Sequence, residues 1–272
     1  MPVLGLGKYD PNLLEPTKMI LHSRIIGEGQ PLLILHGLFG QSDNWQTLGK
    51  VFAEHYQVHL IDQRNHGHSF HADEWNYDVM ADDLFAYIQH HNLVSINIIG
   101  HSMGGKTVMH FAVSNPSLIE KLIVVDIAPK AYAPHHETIL AGLEAIDFEK
   151  INSRKGADAA MAQHIPIPSV RQFLLKNLYW IEKEKLAWRF NLPVISANIK
   201  NVGEALPERA FADIPVLFAH GAKSDYIIDG DDDLILNHFP QAQIVEIPNA
   251  GHWIHAENPK GFHEACENFL ES

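Results

Sequence analysis

Cysteine is nearly absent from this sequence. Its only cysteine, Cys266, cannot close an intrachain disulfide, and it falls near Phe262, Phe269 and Leu270 on what reads as the buried face of a final helix. Positive charge is scarce too. Twenty Lys and Arg stand against 33 Asp and Glu, a formal net charge of −13. That balance argues against nucleic acid, whose phosphates require a positive face, and against anionic membrane surfaces. No segment approaches the roughly 18 apolar residues of a membrane span, and Met1 to Pro16 has no basic stretch leading into an apolar run of signal-peptide length. The expectation is a cytoplasmic protein, monomer or homodimer, acting on a neutral or modestly charged small molecule, with neither nucleic acid nor membrane as partner. Metal signatures are missing as well: there is no H-E-x-x-H, no Cys/His set at zinc spacing and no EF-hand loop. No metal and no cofactor are expected.

A chain of 272 residues with 46% hydrophobic content can bury a full core. Short β-rich runs recur with helical patterns between them: Pro31 to Leu35, Val58 to Asp62, Ile96 to Ile99, Leu122 to Ile127, Pro215 to Ala219 and Ile244 to Ile247. Most are apolar without alternation, as strands of a parallel sheet covered on both faces should be. Met80, Leu84, Tyr87, Ile88 and His91 repeat at the spacing of one helix face. Met19 to Ile26, closed by Gly27-Glu28-Gly29, reads as an antiparallel strand leading into the sheet. The rhythm breaks between about Pro129 and Pro207, where no convincing strand is seen and apolar and aromatic residues are dense. The expected organisation is a core of residues 1–128 and 206–272 with a small helical cap inserted at 129–205.

After the strand Ile96 to Ile99 comes Gly100-His101-Ser102-Met103-Gly104-Gly105, then a helical pattern from Lys106 to Ser114. This is G-x-S-x-G in the strand, sharp turn and helix context that lifts a serine clear of a sheet. A serine hydroxyl is a poor nucleophile at neutral pH and needs a base in hydrogen-bond reach, itself oriented by an acid. The sequence has 19 histidines, so position must decide which is the base. His252, in Asn249-Ala250-Gly251-His252-Trp253 after the last strand, lies where open α/β sheets build their sites. His255, starting the next helical segment, reads as a surface or supporting residue. Oxyanion donors are expected from the backbone N–H groups of Met103 and of Leu38, the latter in His36-Gly37-Leu38-Phe39-Gly40 after the first core strand. Two residues qualify as the acid. Asp126 ends the strand Leu122 to Val125, and Asp225 follows the strand Pro215 to Ala219. Strand ends about 5 Å apart could each present a carboxylate to the same imidazole, so the residues leave the choice open. Asp62-Gln63-Arg64-Asn65-His66-Gly67-His68-Ser69 reads as a hydrogen-bonded turn behind the nucleophile rather than a metal loop, and His135-His136-Glu137 as pocket lining.

Together with Val125-Asp126-Ile127-Ala128-Pro129, Gln172-Phe173-Leu174-Leu175-Lys176-Asn177 and Trp188-Arg189-Phe190-Asn191-Leu192-Pro193, these motifs resemble the bacterial YbfF-type esterases over nearly the whole chain. The resemblance implies an α/β-hydrolase fold, a mostly parallel sheet flanked by helices with a small helical cap. It also implies a carboxylic ester hydrolase working through an acyl-enzyme on small or medium-to-long acyl chains, with acyl thioesters such as acyl-CoA as further substrates. It points to the aspartate of D-I-A-P, Asp126, as the acid, although Asp225 keeps the more usual position. His36, Phe39, His101, Tyr226 and Trp253 would line the substrate pocket, and the apolar cap would hold the acyl chain. For a thioesterase, Lys150, Arg154, Lys155, Arg171 and Lys176 would meet phosphates; otherwise they form a solvated helical surface. Dehalogenases and epoxide hydrolases carry an aspartate where Ser102 stands. A carbon–carbon bond hydrolase, or a slow ligand-binding receptor of this fold, would keep the triad.

Overall fold

The structure, a computed structural model, describes residues 19–134, 136–183 and 185–272. The expectations for Met1 to Pro16 and for His135 lie outside them.

Among the described residues nine strands run in chain order as β1 (Ser23–Ile26), β2 (Gln30–Leu35), β3 (Tyr56–Ile61), β4 (Ile96–His101), β5 (Ile119–Val125), β6 (Leu178–Glu182), β7 (Lys185–Trp188), β8 (Val216–Gly221) and β9 (Ala242–Ile247). Seven of them form one sheet in the order β1-β3-β2-β4-β5-β8-β9. All pairs are parallel except β1 with β3, where Ser23 faces Ile61. Every residue of β4 is buried, which explains an apolar run without alternation.

Helices cover both faces. On one, α1 (Gln46–Phe52) and the C-terminal helix Pro259–Glu271 bring Leu48, Phe52, Phe262, Cys266 and Phe269 onto the sheet. On the other, α2 (Tyr77–His90) and α3 (Met103–Ser114) supply Leu84, Tyr87, Ile88, Val108 and Met109. Asn76 caps α2 by accepting from Val79 N at 3.0 Å.

The insertion between β5 and β8 holds α4 (Glu137–Glu144), α5 (Arg154–Met161), α6 (Pro168–Leu175) and α7 (Leu192–Ala197). It is not wholly helical. Strands β6 and β7 pair as an antiparallel hairpin, Leu178 opposite Trp188, where the sequence suggested no strand. The run Leu178-Tyr179-Trp180-Ile181 has the aromatic and β-branched content of a strand, but it is too short for its period to be told from a helical one. Leu143, Met161, Leu174, Leu178, Trp188 and Phe190 build the cap interior, continuous with Phe39, Trp75, Met80 and Met103 of the body. The two roots of the cap are laced together by Leu206 N to Pro129 O and Tyr132 N to Gly203 O, both 2.8 Å. Lys106, fully buried on α3, donates to Lys130 O at 2.5 Å and Glu204 O at 2.9 Å, one carbonyl from each root. Burial, reinforced by Lys130, pushes its pKa down to about 7. No described helix is long and apolar enough to cross a membrane.

Helix α3 meets the sheet at glycines. A Cβ on Gly104 would lie 2.6 Å from Leu35 O and 2.7 Å from His36 O, and one on Gly100 would lie 2.4 Å from Gly104 O. These are backbone atoms that cannot swing aside. Gly104→Ala is therefore expected to lower the unfolding free energy by more than about 2 kcal/mol in urea titrations, whereas Ser114→Ala at the exposed end of the same helix should stay within about 0.5 kcal/mol.

Candidate active site

Between β4 and α3 the chain reverses in a single residue. Ser102 adopts φ 53° and ψ −116°, a left-handed conformation that costs of order 1–3 kcal/mol for a residue with a Cβ. Two backbone bonds hold it: Ser102 N to Val125 O and Lys106 N to Ser102 O, each 3.0 Å. The side chain is left half-exposed at the first turn of α3, beside the Met103 N–H.

The second candidate donor, Leu38 N–H, sits in a turn closed by Gly40 N to Gly37 O at 2.9 Å, with Phe39 at φ 57°. Two neutral histidines fix this turn. His36 donates through Nδ1 to Gly37 O at 2.8 Å and accepts from Gln63 N through Nε2 at 3.1 Å, while Gln63 Nε2 returns to His36 O at 2.6 Å. His66 donates through Nδ1 to Arg64 O at 2.9 Å and accepts from Phe39 N through Nε2 at 3.2 Å. Burial lowers the pKa of His36 and, with His36 adding to it, pushes that of His66 to about 3. Both rings therefore keep an acceptor nitrogen at neutral pH. The roles of Gln63 and His66 were not readable from sequence beyond a turn behind the nucleophile. The only signal was the placement of D-Q-R-N-H-G-H-S directly after a strand. Among the described residues no group of three His, Cys, Asp or Glu side chains could hold a metal ion.

His252 stands on the loop after β9, and its Nδ1 donates to Asp126 Oδ2 at 2.7 Å. Asp126 is wholly buried just past β5, its oxygens receiving Gly221 N at 3.0 Å and Ser224 Oγ at 2.5 Å as well. Asp225 lies exposed on the pocket wall, and His252 Nδ1 bonds Asp126 rather than it. What the loop after β8 brings to the imidazole is Tyr226, stacked on the His252 ring with centroids 4.0 Å apart and planes 18° from parallel. Behind His252, His101 donates through Nε2 to the His252 carbonyl at 2.8 Å. Burial lowers the pKa of His101 far below its usual value, so this ring too is neutral. His255 is half-buried in the cavity wall and stacked on Trp45 with ring centroids 4.3 Å apart, and desolvation pushes its pKa to about 3.

Ser102 and His252 open into one cavity of about 640 Å³ beneath the cap, a size suited to a small organic ligand. His36, Phe39, His101, Tyr226 and Trp253 all border it, the first three with at most 3% of their surface exposed. Val170, Phe173 and Leu174 of α6 form its roof, with Phe173 against Trp253 at 5.4 Å. Met103 does not border it and lines two smaller spaces instead. Of the cap cations, Arg154 bonds Leu175 O and Leu178 O, Arg171 bonds Asp158 and Ile165 O, and Lys150 pairs with Asp147. Lys155 and Lys176 are exposed.

Residues 30–259 match the model of the alpha/beta hydrolase fold family. The chain is an α/β-hydrolase. It is 36% identical to the Escherichia coli esterase YbfF over 243 residues, 88% of this chain and 92% of that one. It is also 36% identical to the mouse sn-1-specific diacylglycerol lipase ABHD11, over 88% of this chain and 80% of that one. A solved marine microorganism esterase superimposes with a TM-score of 0.90 and 43% identity, covering 93% of this chain and 100% of its own. With these relatives, this α/β-hydrolase is an enzyme that acts on esters.

The desolvated histidines make the α/β-hydrolase acid-sensitive in a defined window. The unfolded chain protonates them near 6.5, but the folded protein resists until about 3 at His66 and His255, so stability falls as pH drops through that interval. Each contributes a slope of about 1.4 kcal/mol per pH unit. Urea unfolding should show stability decreasing from pH 6.5 to 5, above the carboxylate range. His255→Phe, which keeps a ring against Trp45, should remove about one histidine's share of that slope. A flat profile in the native protein would contradict this account.

Proposed function

We propose that the enzyme hydrolyses carboxylic esters through an acyl-enzyme on Ser102, with His252 as base, Asp126 as its orienting acid, and Leu38 and Met103 N–H groups receiving the oxyanion. One observation carries this reading: a strained, half-exposed serine shares a cavity with a histidine whose Nδ1 is held by a buried aspartate. With Nδ1 engaged, only Nε2 is left to take the Ser102 proton. Ser102 Oγ then bonds the ester carbon, and the carbonyl oxygen gains negative charge next to the first turn of α3, whose dipole favours it. Collapse breaks the bond to the alcohol oxygen, which receives the proton from His252 Nε2. A water activated by the same nitrogen adds to the acyl-enzyme and releases the acid. Asp126 stabilises the imidazolium in both halves. Its three hydrogen bonds fix the carboxylate's orientation.

A thioester would follow the same steps. The engagement of Arg154 and Arg171 within the cap leaves fewer cations for a phosphate-bearing thiol.

Turnover of p-nitrophenyl butyrate tests the assignment. Ser102→Ala should lower kcat by about 10⁶-fold and Asp126→Asn by about 10⁴-fold, while Asp225→Asn should stay within a few-fold of the wild type. Wild-type rates in Ser102→Ala would sink the mechanism. Collapse in Asp225→Asn with Asp126→Asn intact would move the acid to Asp225.

A further inference from the structure

Resting on the acyl-enzyme reading above, we infer that the enzyme selects esters of short acyl groups, acetyl to propionyl, on bulky alcohols, because the two spaces that meet at Ser102 divide the substrate unequally. The large space, about 640 Å³, has His252, Trp253 and His255 in its wall. The small one, about 20 Å³, has none of these; it is bounded by Met103, Ile127, Ile199 and Val202. The two spaces are continuous: Leu38, Ser102, Tyr226, His136 and the segment Tyr132 to Pro134 border both.

The chemistry assigns each half of the ester to a side. The alcohol oxygen must receive its proton from His252 Nε2, so the alcohol portion extends into the space that contains His252. The carbonyl oxygen is directed at the Leu38 and Met103 N–H groups. The remaining substituent of the carbonyl carbon, the acyl group, is left to enter the small space, whose wall includes those same two residues.

That space is narrow and firmly walled. Its volume of about 20 Å³ against about 640 Å³ for the large space leaves room only for the shorter portion of an ester. Its far wall is the turn Ile199–Gly203 at the cap root. Three bonds of 2.8 Å hold that turn to the body and to the other root: Tyr77 Oη to Val202 O, Asn201 Nδ2 to Trp75 O, and Tyr132 N to Gly203 O. A longer acyl chain would have to displace this turn. The apolar roof formed by Val170, Phe173 and Leu174 therefore serves the alcohol portion, where the sequence suggested the acyl chain.

Octyl acetate and ethyl octanoate are isomers that exchange the long and short halves, so they test the division directly. The wild type is expected to hydrolyse octyl acetate with a kcat/KM at least about tenfold higher, since each methylene a pocket cannot admit discriminates by 10-fold or more. Ile199→Ala and, separately, Val202→Ala should each narrow the ratio by raising ethyl octanoate turnover, with circular dichroism confirming that the variants fold. Equal or faster hydrolysis of ethyl octanoate by the wild type, absence of octyl acetate hydrolysis, or a ratio unmoved in both folded variants would overturn the inference. Ser102→Ala separates the two levels of the argument. If it abolishes turnover while the wild-type preference is inverted, only the assignment of the spaces fails; if it leaves turnover intact, the acyl-enzyme reading fails first.

Discussion

The distance at which α3 can approach the sheet governs the rest of the site. Gly100 and Gly104 allow the helix to start against Leu35 O and His36 O, closer than any side chain would permit. That approach forces the chain through Ser102 in one residue, and the strain is tolerated because bonds on both sides leave it no alternative. One turn further on, Lys106 reaches the two cap roots, and Thr107 donates to Gln63 Oε1 at 2.8 Å. Gln63 in turn holds His36, and His36 holds the Gly37 carbonyl. A single helix thus sets Ser102, the Met103 N–H directly, the Leu38 turn through a hydrogen-bonded chain, and the floor on which the cap stands.

Neutral imidazoles connect these parts. His36 and His66 each need one nitrogen as donor and the other as acceptor, a pattern that a protonated ring cannot offer. Burial supplies the neutrality by penalising the charged form. His101, also neutral, holds the backbone of His252 without adding a second positive charge beside it. A more hydrated site would leave these rings free to charge near pH 6.5 and would loosen the turn that presents Leu38. The same burial that orders the site makes the fold acid-sensitive.

Much of this was legible in sequence because the decisive features are local. G-H-S-M-G-G after an apolar run and before a helical pattern specifies its own geometry, and buried parallel strands announce themselves by unbroken apolar stretches such as Ile96 to Ile99. The Leu178 to Trp188 hairpin was hidden because its apolar residues face a cap interior assembled from several helices, so neither strand period nor helix period is clean. The partners of Gln63 and His66 were hidden for another reason. Their bonds reach back 27 residues to a neighbouring strand end, and only the β2 and β3 register brings the two turns together.

The hydrogen bond from His252 Nδ1 distinguishes two aspartates that spacing leaves equivalent. Asp126 and Asp225 both follow strands flanking the same end of the sheet, so either satisfies the chain order. Their surroundings differ in kind. Asp126, at φ 53°, is removed from water and accepts hydrogen bonds from Gly221 N–H, Ser224 Oγ–H and His252 Nδ1–H. A carboxylate so placed interacts with an imidazolium in a lower effective dielectric than an exposed one, and it loses less to solvent screening. Asp225, exposed, would face His252 through water. The loop that carries it still serves the histidine through its neighbours: Ser224 orients the Asp126 carboxylate and Tyr226 covers the ring face. In the proposed mechanism the loop after β8 supports the hydrogen bond between Asp126 and His252, and the carboxylate between those two supporting residues is left to the solvent.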